Sequence, residues 1–291
     1  MAGAPLHADV RFWRDAALPG VEARSATYTQ HAFRIHTHKD WIISLVEAGC
    51  TRFSLGPAAP QPLHTARAGQ IVVIPAGAPH ACNPEPGSGF SYRLVALAPG
   101  WLSGAAQAQG GAALHFPSPV LDDSELFAAW RNLHEAFVWG APAAHKQALL
   151  LACLRELSAR HAAPGLPNPA DGNLAARNPA VALARAAIAA RPGEFVPLDE
   201  LARTAGLSRH HFVRVFKAAT GLPPHAYQMQ QAIEHAKALL AGGMAISQAA
   251  LDAGFADQSH FSRRFREFTG ATPRQYAENR PCENWQNASG S

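Results

Sequence analysis

Three histidines carry the first chemistry worth arguing. His36 and His38 stand two apart in RIHTHKDWIISLVEAG (34–49), so on an extended chain they project to one face and can share a ligand. His80, in GQIVVIPAGAPHACN (69–83), supplies a third imidazole. Three such groups with an open position can hold Zn(II), Fe(II) or Mn(II), or they can line a pocket and hydrogen-bond a small molecule. A second set of reactive side chains lies near the C-terminus. Arg209, His210, Val213, Arg214 and Lys217 share one face of a helical stretch, and Gln258, Ser259, Ser262, Arg263 and Arg266 share one face of another. These are side chains that read DNA: Arg pairs with guanine, Gln with adenine, and a Val methyl packs on thymine.

The elements that must position them differ in kind. Residues 20–98 alternate short apolar runs (IISLV, TRFSL, QIVVIP, SYRLVAL) with Gly- and Pro-rich turns, the pattern of a small antiparallel barrel or sandwich. Over 122–161 the apolar spacing changes to three and four, which predicts two helices broken at WGAP, with Asp122, Asp123 or Ser124 as N-cap. The stretch 162–178 is rich in Pro and Gly and is expected to be a flexible linker. Everything from 179 to 280 is helix and turn, and 281–291 is expected to be a disordered tail.

The helical half repeats itself. Phe212, Phe216, Thr220, Gly221, Pro224 and Tyr227 recur 49 residues later as Phe261, Phe265, Thr269, Gly270, Pro273 and Tyr276, while Ala205-Gly206 recurs as Ala253-Gly254 at an offset of 48. Each copy predicts a helix-turn-helix: a short helix ending at a left-handed Gly206, then a second helix capped by Ser208 with Phe212, Val215, Phe216 and Ala219 inward. In the second copy Phe261, Phe265 and Phe268 face in. A generic bundle with a solvated basic face explains one copy easily and two copies poorly.

Composition agrees. Residues 1–178 hold 13 Lys and Arg against 12 Asp and Glu, whereas 179–280 hold 12 against 8, so the helical half carries most of the net charge of +4. A basic unit beside a near-neutral one suits a polyanion partner. The four scattered cysteines do not form a disulfide scaffold, and neither a signal peptide nor an apolar run long enough to span a membrane is apparent, so a soluble, cytoplasmic protein is expected.

AISQAALDAGFADQSHFSRRFREFTGATPRQY (245–276) resembles the signature of AraC/XylS-type transcriptional regulators, and 179–280 is similar to their DNA-binding domain from end to end. The resemblance implies two helix-turn-helix units joined by a long helix, here PPHAYQMQQAIEHAKALLAGG (223–243), that enter successive major grooves of double-stranded DNA. Position 232, usually Arg in that helix, is Ala232, which removes a salt bridge or a phosphate contact. Gly69, Pro75, Gly77, His80 and Asn83 resemble the second cupin motif, with Asn83 one residue early, and His36-x-His38 with Gly49 resembles the first. Ile43 stands where metal-binding cupins place Glu. In AraC-type regulators such a barrel is usually a metal-free effector pocket.

The expected architecture is two-domain: an N-terminal all-β cupin-like barrel (1–121) with a helical dimerisation segment (122–161), a linker (162–178), and a C-terminal all-α domain with two helix-turn-helix motifs (179–280). The expected function is ligand-responsive, sequence-specific DNA binding, without catalysis. The effector is expected to be small and polar and to touch His36, His38, Trp41, Ile43, His80 and Tyr92, with Cys82 near them by parity. No metal or other cofactor is expected; if a metal binds, His36, His38 and His80 are its ligands. A homodimer is expected, with RNA polymerase as a partner if the output is activation. The alternatives are a metal-dependent cupin enzyme tethered to a DNA-binding domain, and a constitutive DNA binder whose barrel is a dimerisation scaffold.

Overall fold

The computed structural model describes residues 9–29, 33–56, 62–85, 89–108, 114–164 and 178–278. The N-terminal half is built on seven strands: β1 (Asp9–Arg14), β2 (Val21–Tyr28), β3 (Trp41–Leu55), β4 (Leu63–Arg67), β5 (Ile71–Ile74), β6 (His80–Pro84) and β7 (Phe90–Leu97). All their pairings are antiparallel. The long β3 makes the curvature. Its first half lies between β7 and β5, and its second half pairs with β4 and β6. The register slips between Val46 and Ala48, and Gly49 follows at φ 76°, where a Cβ would sit 1.8 Å from the Gly89 carbonyl oxygen. Only glycine fits that bend.

The strands alternate, so the sheet has two apolar faces. One encloses a cavity; the other is covered by α2 (Ser124–Val138) and α3 (Ala143–His161), whose Trp130, Leu133, Phe137, Leu150, Leu154 and Leu157 are buried against Ile43, Leu45, Val73 and Val95. The two helices break at the expected place, and among the candidate caps Asp123 accepts from the Leu126 N–H. Three departures from expectation appear here. Strand structure begins at Asp9 rather than near residue 20. A helix, α1 (Pro99–Ala108), and two short strands, β8 (Leu114–His115) and β9 (Val120–Leu121), follow β7. Finally, the start of the expected linker is not free chain, because β10 (Ala163–Pro164) pairs with β8. Residues 165–177 and the tail 281–291 lie outside the described residues.

The C-terminal half comprises α4 (Pro179–Ala189), α5 (Leu198–Thr204), α6 (Arg209–Thr220), α7 (Pro224–Ala241), α8 (Ile246–Asp252), α9 (Gln258–Thr269) and α10 (Pro273–Ala277). The repeat is structural as well as textual. Thr220 Oγ1 donates to the Phe216 and Leu222 carbonyls, and Thr269 Oγ1 donates to those of Phe265 and Ala271. Gly221 and Gly270 end their helices at φ 74° and 71°, and Gly206 and Gly254 make the tight turns at φ 65° and 82°. Caps are where the copies differ: Asp257 accepts from the His260 N–H, whereas Ser208 stands at the N-cap position but makes no capping bond. Its side chain therefore does not perform the role expected of it.

Packing does not follow the expected domain division. The first helix-turn-helix has its own core, in which Phe212 and Phe216 are packed by Val181, Ile188 and Leu201. The second shares one continuous apolar cluster with the barrel, from Phe12, Tyr28 and Phe33 to Ile233, Phe261, Phe265 and Tyr276. Ala232 is 5% exposed and packs within that cluster. Of the described helices, none is long and apolar enough to cross a membrane.

Candidate functional site

The histidines converge because the backbone pairs them. His36 and His80 form an antiparallel bridge, each N–H donating to the other's carbonyl at 3.0 and 2.9 Å. Asn83, the resemblance's early motif residue, fixes the neighbouring chain by bonding both backbone groups of Phe33. His38 then places its Nε2 3.1 Å from His36 Nε2. Ligating atoms of the three rings lie within 4.8 Å of one another. Burial holds all three imidazoles neutral: His36 is pushed down to about 3 by desolvation and the His80 ring beside it, His80 to about 4 by desolvation, and His38 well below its usual range by desolvation and His36.

These rings form one wall of a cavity inside the barrel. The remaining walls are mostly apolar, from Phe33, Ile42, Val72, Ile74, Phe90 and Leu94, with Ser44, Thr51, Tyr92 and Arg24 as polar points. About 50 Å³ is open to the centres of water-sized molecules, several times what one water requires, which suits a small ligand and not a long chain. Tyr92 lies in the wall, and so does Cys82, which shares parity with His80; burial pushes the Cys82 thiol up to about 12, so it stays protonated and unreactive.

Two expected lining residues are elsewhere. Trp41 and Ile43 belong to the opposite face of β3: Ile43 is packed beneath α2 and α3, and Trp41 meets Phe116 edge to face at 5.7 Å. Strand period two decides this. Ile42 and Ser44 point to the histidines, so their odd-numbered neighbours cannot. All three imidazoles are neutral at pH 7, so they offer a ligand hydrogen bonds and no positive charge.

Arg24 is the cationic group that sequence reasoning missed. It is buried in the cavity wall, donates Nη2 to Tyr28 Oη at 2.7 Å, lies 5.6 Å from the Tyr92 ring centroid, and has no hydrogen-bond partner for Nε. Its neighbours in β2, VEARSATY, alternate Ala and polar residues on both sides, so no hydrophobic pattern marks which face is inside.

A junction with the helical half adjoins the cavity. Thr37, between His36 and His38, donates its N–H to Gln230 Oε1 of α7 at 2.8 Å, and Gln230 Nε2 donates to the Thr37 carbonyl at 2.7 Å. Tyr28 Oη donates to the Gly270 carbonyl at 3.1 Å, and Tyr276 Oη to Glu22 Oε2 at 3.2 Å. The Arg14 guanidinium bonds Glu22 and the Tyr276 carbonyl and covers the Tyr276 ring at 4.0 Å. A second cavity at this junction has Arg24, His36 and His38 on one side and Gln230, Glu234 and Lys237 on the other. Phe268, expected inward in its own unit, lines it.

The outward faces of the two long repeat helices are largely open to solvent. On α6, Arg209, His210, Arg214 and Lys217 are exposed and Val213 half-buried; on α9, Gln258, Ser259 and Arg263 are exposed, with Ser262 and Arg266 half-buried. Arg209 lies 3.6 Å from Asp199 of the preceding helix. The joining helix α7 has 18 residues, about 27 Å at ~1.5 Å each, comparable with one DNA turn.

Comparison with known proteins gives a consistent picture. Residues 18–176 match the model of the AraC-like ligand binding domain and 201–279 match a helix-turn-helix domain. Over 246 residues the chain is 27% identical to the uncharacterized HTH-type transcriptional regulator YbfI of Bacillus subtilis, covering 82% of this chain and 85% of that protein. A shorter match, 36% identical over 81 residues, is to the bifunctional transcriptional activator/DNA repair enzyme Ada of Escherichia coli, and covers 28% of this chain and 23% of Ada. In fold the chain is similar to ToxT of Vibrio cholerae in its unsaturated fatty acid bound form, with TM-score 0.57 and 11% identity over 93% of this chain and 94% of that one.

Proposed function

Because the chain belongs to the AraC family of transcriptional regulators, whose ligand-binding model matches more than half of it, we propose that a small molecule bound in the barrel cavity controls how its two helix-turn-helix units hold DNA. The observation that carries this is the Gln230–Thr37 junction. Thr37 lies between two cavity histidines, and Gln230 lies on the helix that joins the DNA-reading units. Whatever displaces His36 or His38 therefore acts on that helix directly, rather than through a flexible linker.

The effector that fits has an apolar body and one polar or anionic group. Apolar walls take the body, and Arg24, the permanent cation in the wall, takes the group through its unpartnered Nε. The fatty acid of the ToxT complex has this chemistry, on a larger scale than the present cavity accommodates. We assign sensing rather than catalysis to the barrel, because among the described residues the ligating cluster is three imidazoles without a carboxylate ligand, and burial lowers all three well below the range of a general acid or base at neutral pH. The helices α2 and α3, whose inner faces cover the sheet, leave Leu151 and Trp139 exposed for a homodimer contact. RNA polymerase is the further partner if DNA binding leads to activation, and the cytoplasm is the compartment.

The test is DNA affinity, measured by fluorescence anisotropy on a selected operator, across a panel of small carboxylic acids and neutral analogues. At least one acid should shift the affinity, and Arg24→Gln should raise the concentration required about tenfold or more. An affinity unmoved by every compound would favour the constitutive binder instead.

A further inference from the structure

The loop between α4 and α5, residues 190–197, touches both helix-turn-helix units. It belongs to the first by sequence, and Arg191 pairs with Glu200 of α5 across it. Its apolar residues then divide between the two. Val196 is 3% exposed in the core of the first unit, whereas Phe195 packs against the cluster that holds the second and stacks on the His225 ring of α7 at 5.7 Å. Gly193 reaches the turn between α8 and α9, which aims the second DNA-reading helix. A Cβ on Gly193 would collide with the Asp252 carbonyl oxygen, and one on Gly254 with the Gly193 carbonyl oxygen. The two backbones therefore meet with no room for a side chain between them. Buried Gln228 of α7 accepts the Val196 N–H at 2.7 Å and donates to the Val196 carbonyl at 3.1 Å. Residues two apart do not share a helix face, so Gln228 holds this loop on one side of α7 and Gln230 holds Thr37 on another.

We infer that this loop is a brace which, together with α7, fixes the angle between α6 and α9 and so sets the spacing and phase of the two DNA elements. A strut fixes the distance between two units, and a second contact away from its axis fixes their rotation about it. Rotation is what spacing depends on, because one base pair turns the next groove by about 35° and moves it by about 3.4 Å. A close-packed aromatic ring and a backbone contact without room for a Cβ both resist that rotation, since neither shifts without opening a void or a collision. Gly193, Phe195 and Gly254 are thus positioning residues, and none of them lies on the outward faces of α6 or α9. The inference rests on the reading that both units hold DNA at once.

The test compares the affinity of the full chain, by anisotropy, for the selected operator and for the same operator with one base pair added or removed between its elements. The wild type should lose about tenfold or more with either change. Phe195→Ala should lose only about threefold or less, and Phe195→Leu should behave as the wild type. Gly193→Ala should follow Phe195→Ala or favour a different spacing, and circular dichroism verifies that each variant is folded. A protein that is merely destabilised binds all three operators proportionately more weakly. An unchanged ratio in folded Phe195→Ala would therefore overturn the brace and leave α7 as the sole determinant, and so would a wild type indifferent to one base pair. A second readout needs no DNA. Between genetically encoded spin labels at positions 210 and 259, exposed on α6 and α9, the electron–electron distance distribution should be narrow in the wild type and broader in Phe195→Ala. Equal widths would overturn the brace. A distribution broadened by Phe195→Ala in a protein that holds no DNA would overturn the functional reading alone.

Discussion

His134 of α2 shows how a single buried ring ties stability to pH. It is 1% exposed, donates Nε2–H to the Arg24 carbonyl at 3.1 Å, packs edge-on to Trp13, and has no partner for Nδ1. Burial, with Arg93 nearby, lowers it to about 4 from the 6.5 of the unfolded chain. The unfolded state thus binds the extra proton first. Stability from keeping the ring neutral is complete above pH 6.5 and is lost as pH falls toward 4. Urea midpoints should show His134→Gln losing about 2 kcal/mol less than the wild type between pH 7 and 5. His36 and His80 titrate in the same direction in both proteins, so the difference isolates His134. On the DNA side, Arg214→Ala and Arg263→Ala should each cost about 1–3 kcal/mol of specific binding, through loss of a base contact. A footprint unaffected by both would show that these faces do not meet DNA.

At the scale of elements, the repeat was legible because both copies keep the same turn chemistry, and the structure reproduces it down to the Thr220 and Thr269 hydroxyl bonds. The barrel was legible as strands but not as inside and outside. Trp41 and Ile43 form an apolar run with Ile42 and Leu45, buried on both faces, and such a run has no alternation to mark the cavity side. Arg24 was hidden for a related reason, since a charged residue in a strand is ordinarily taken as solvent-facing. Gly270 marks where the halves meet. A Cβ there would lie 2.3 Å from Tyr28 Oη and 2.7 Å from Phe33, in a backbone of φ 71°. Gly206, at φ 65°, has nothing within 4 Å of that position. Gly206→Ala should therefore cost about 1 kcal/mol for backbone conformation, and Gly270→Ala several times that, read as thermal unfolding. For the joining helix, a rigid strut of about 27 Å predicts DNA elements about 10 base pairs apart, and inserting half a turn between them should destroy binding.

For the whole molecule, the contact between barrel and second helix-turn-helix could not be read from the sequence. Gln230 and Thr37 are 193 residues apart, and neither belongs to a motif. A Pro- and Gly-rich stretch between the halves suggested independent domains, yet one apolar cluster runs through both. This makes the central claim, that the cavity and the joining helix are energetically coupled, measurable without knowing the effector. Ser44→Leu fills part of the cavity from a position on β3, and Gln230→Ala removes the junction on α7. Operator affinities of the wild type, both single variants and the double variant, measured by anisotropy on proteins shown to be folded, form a thermodynamic cycle. The coupled account predicts an interaction free energy of about 0.5 kcal/mol or more, with the effect of Ser44→Leu reduced once Gln230 is gone. Effects that add to within about 0.3 kcal/mol would contradict it, and would leave a barrel that does not communicate with DNA through this helix.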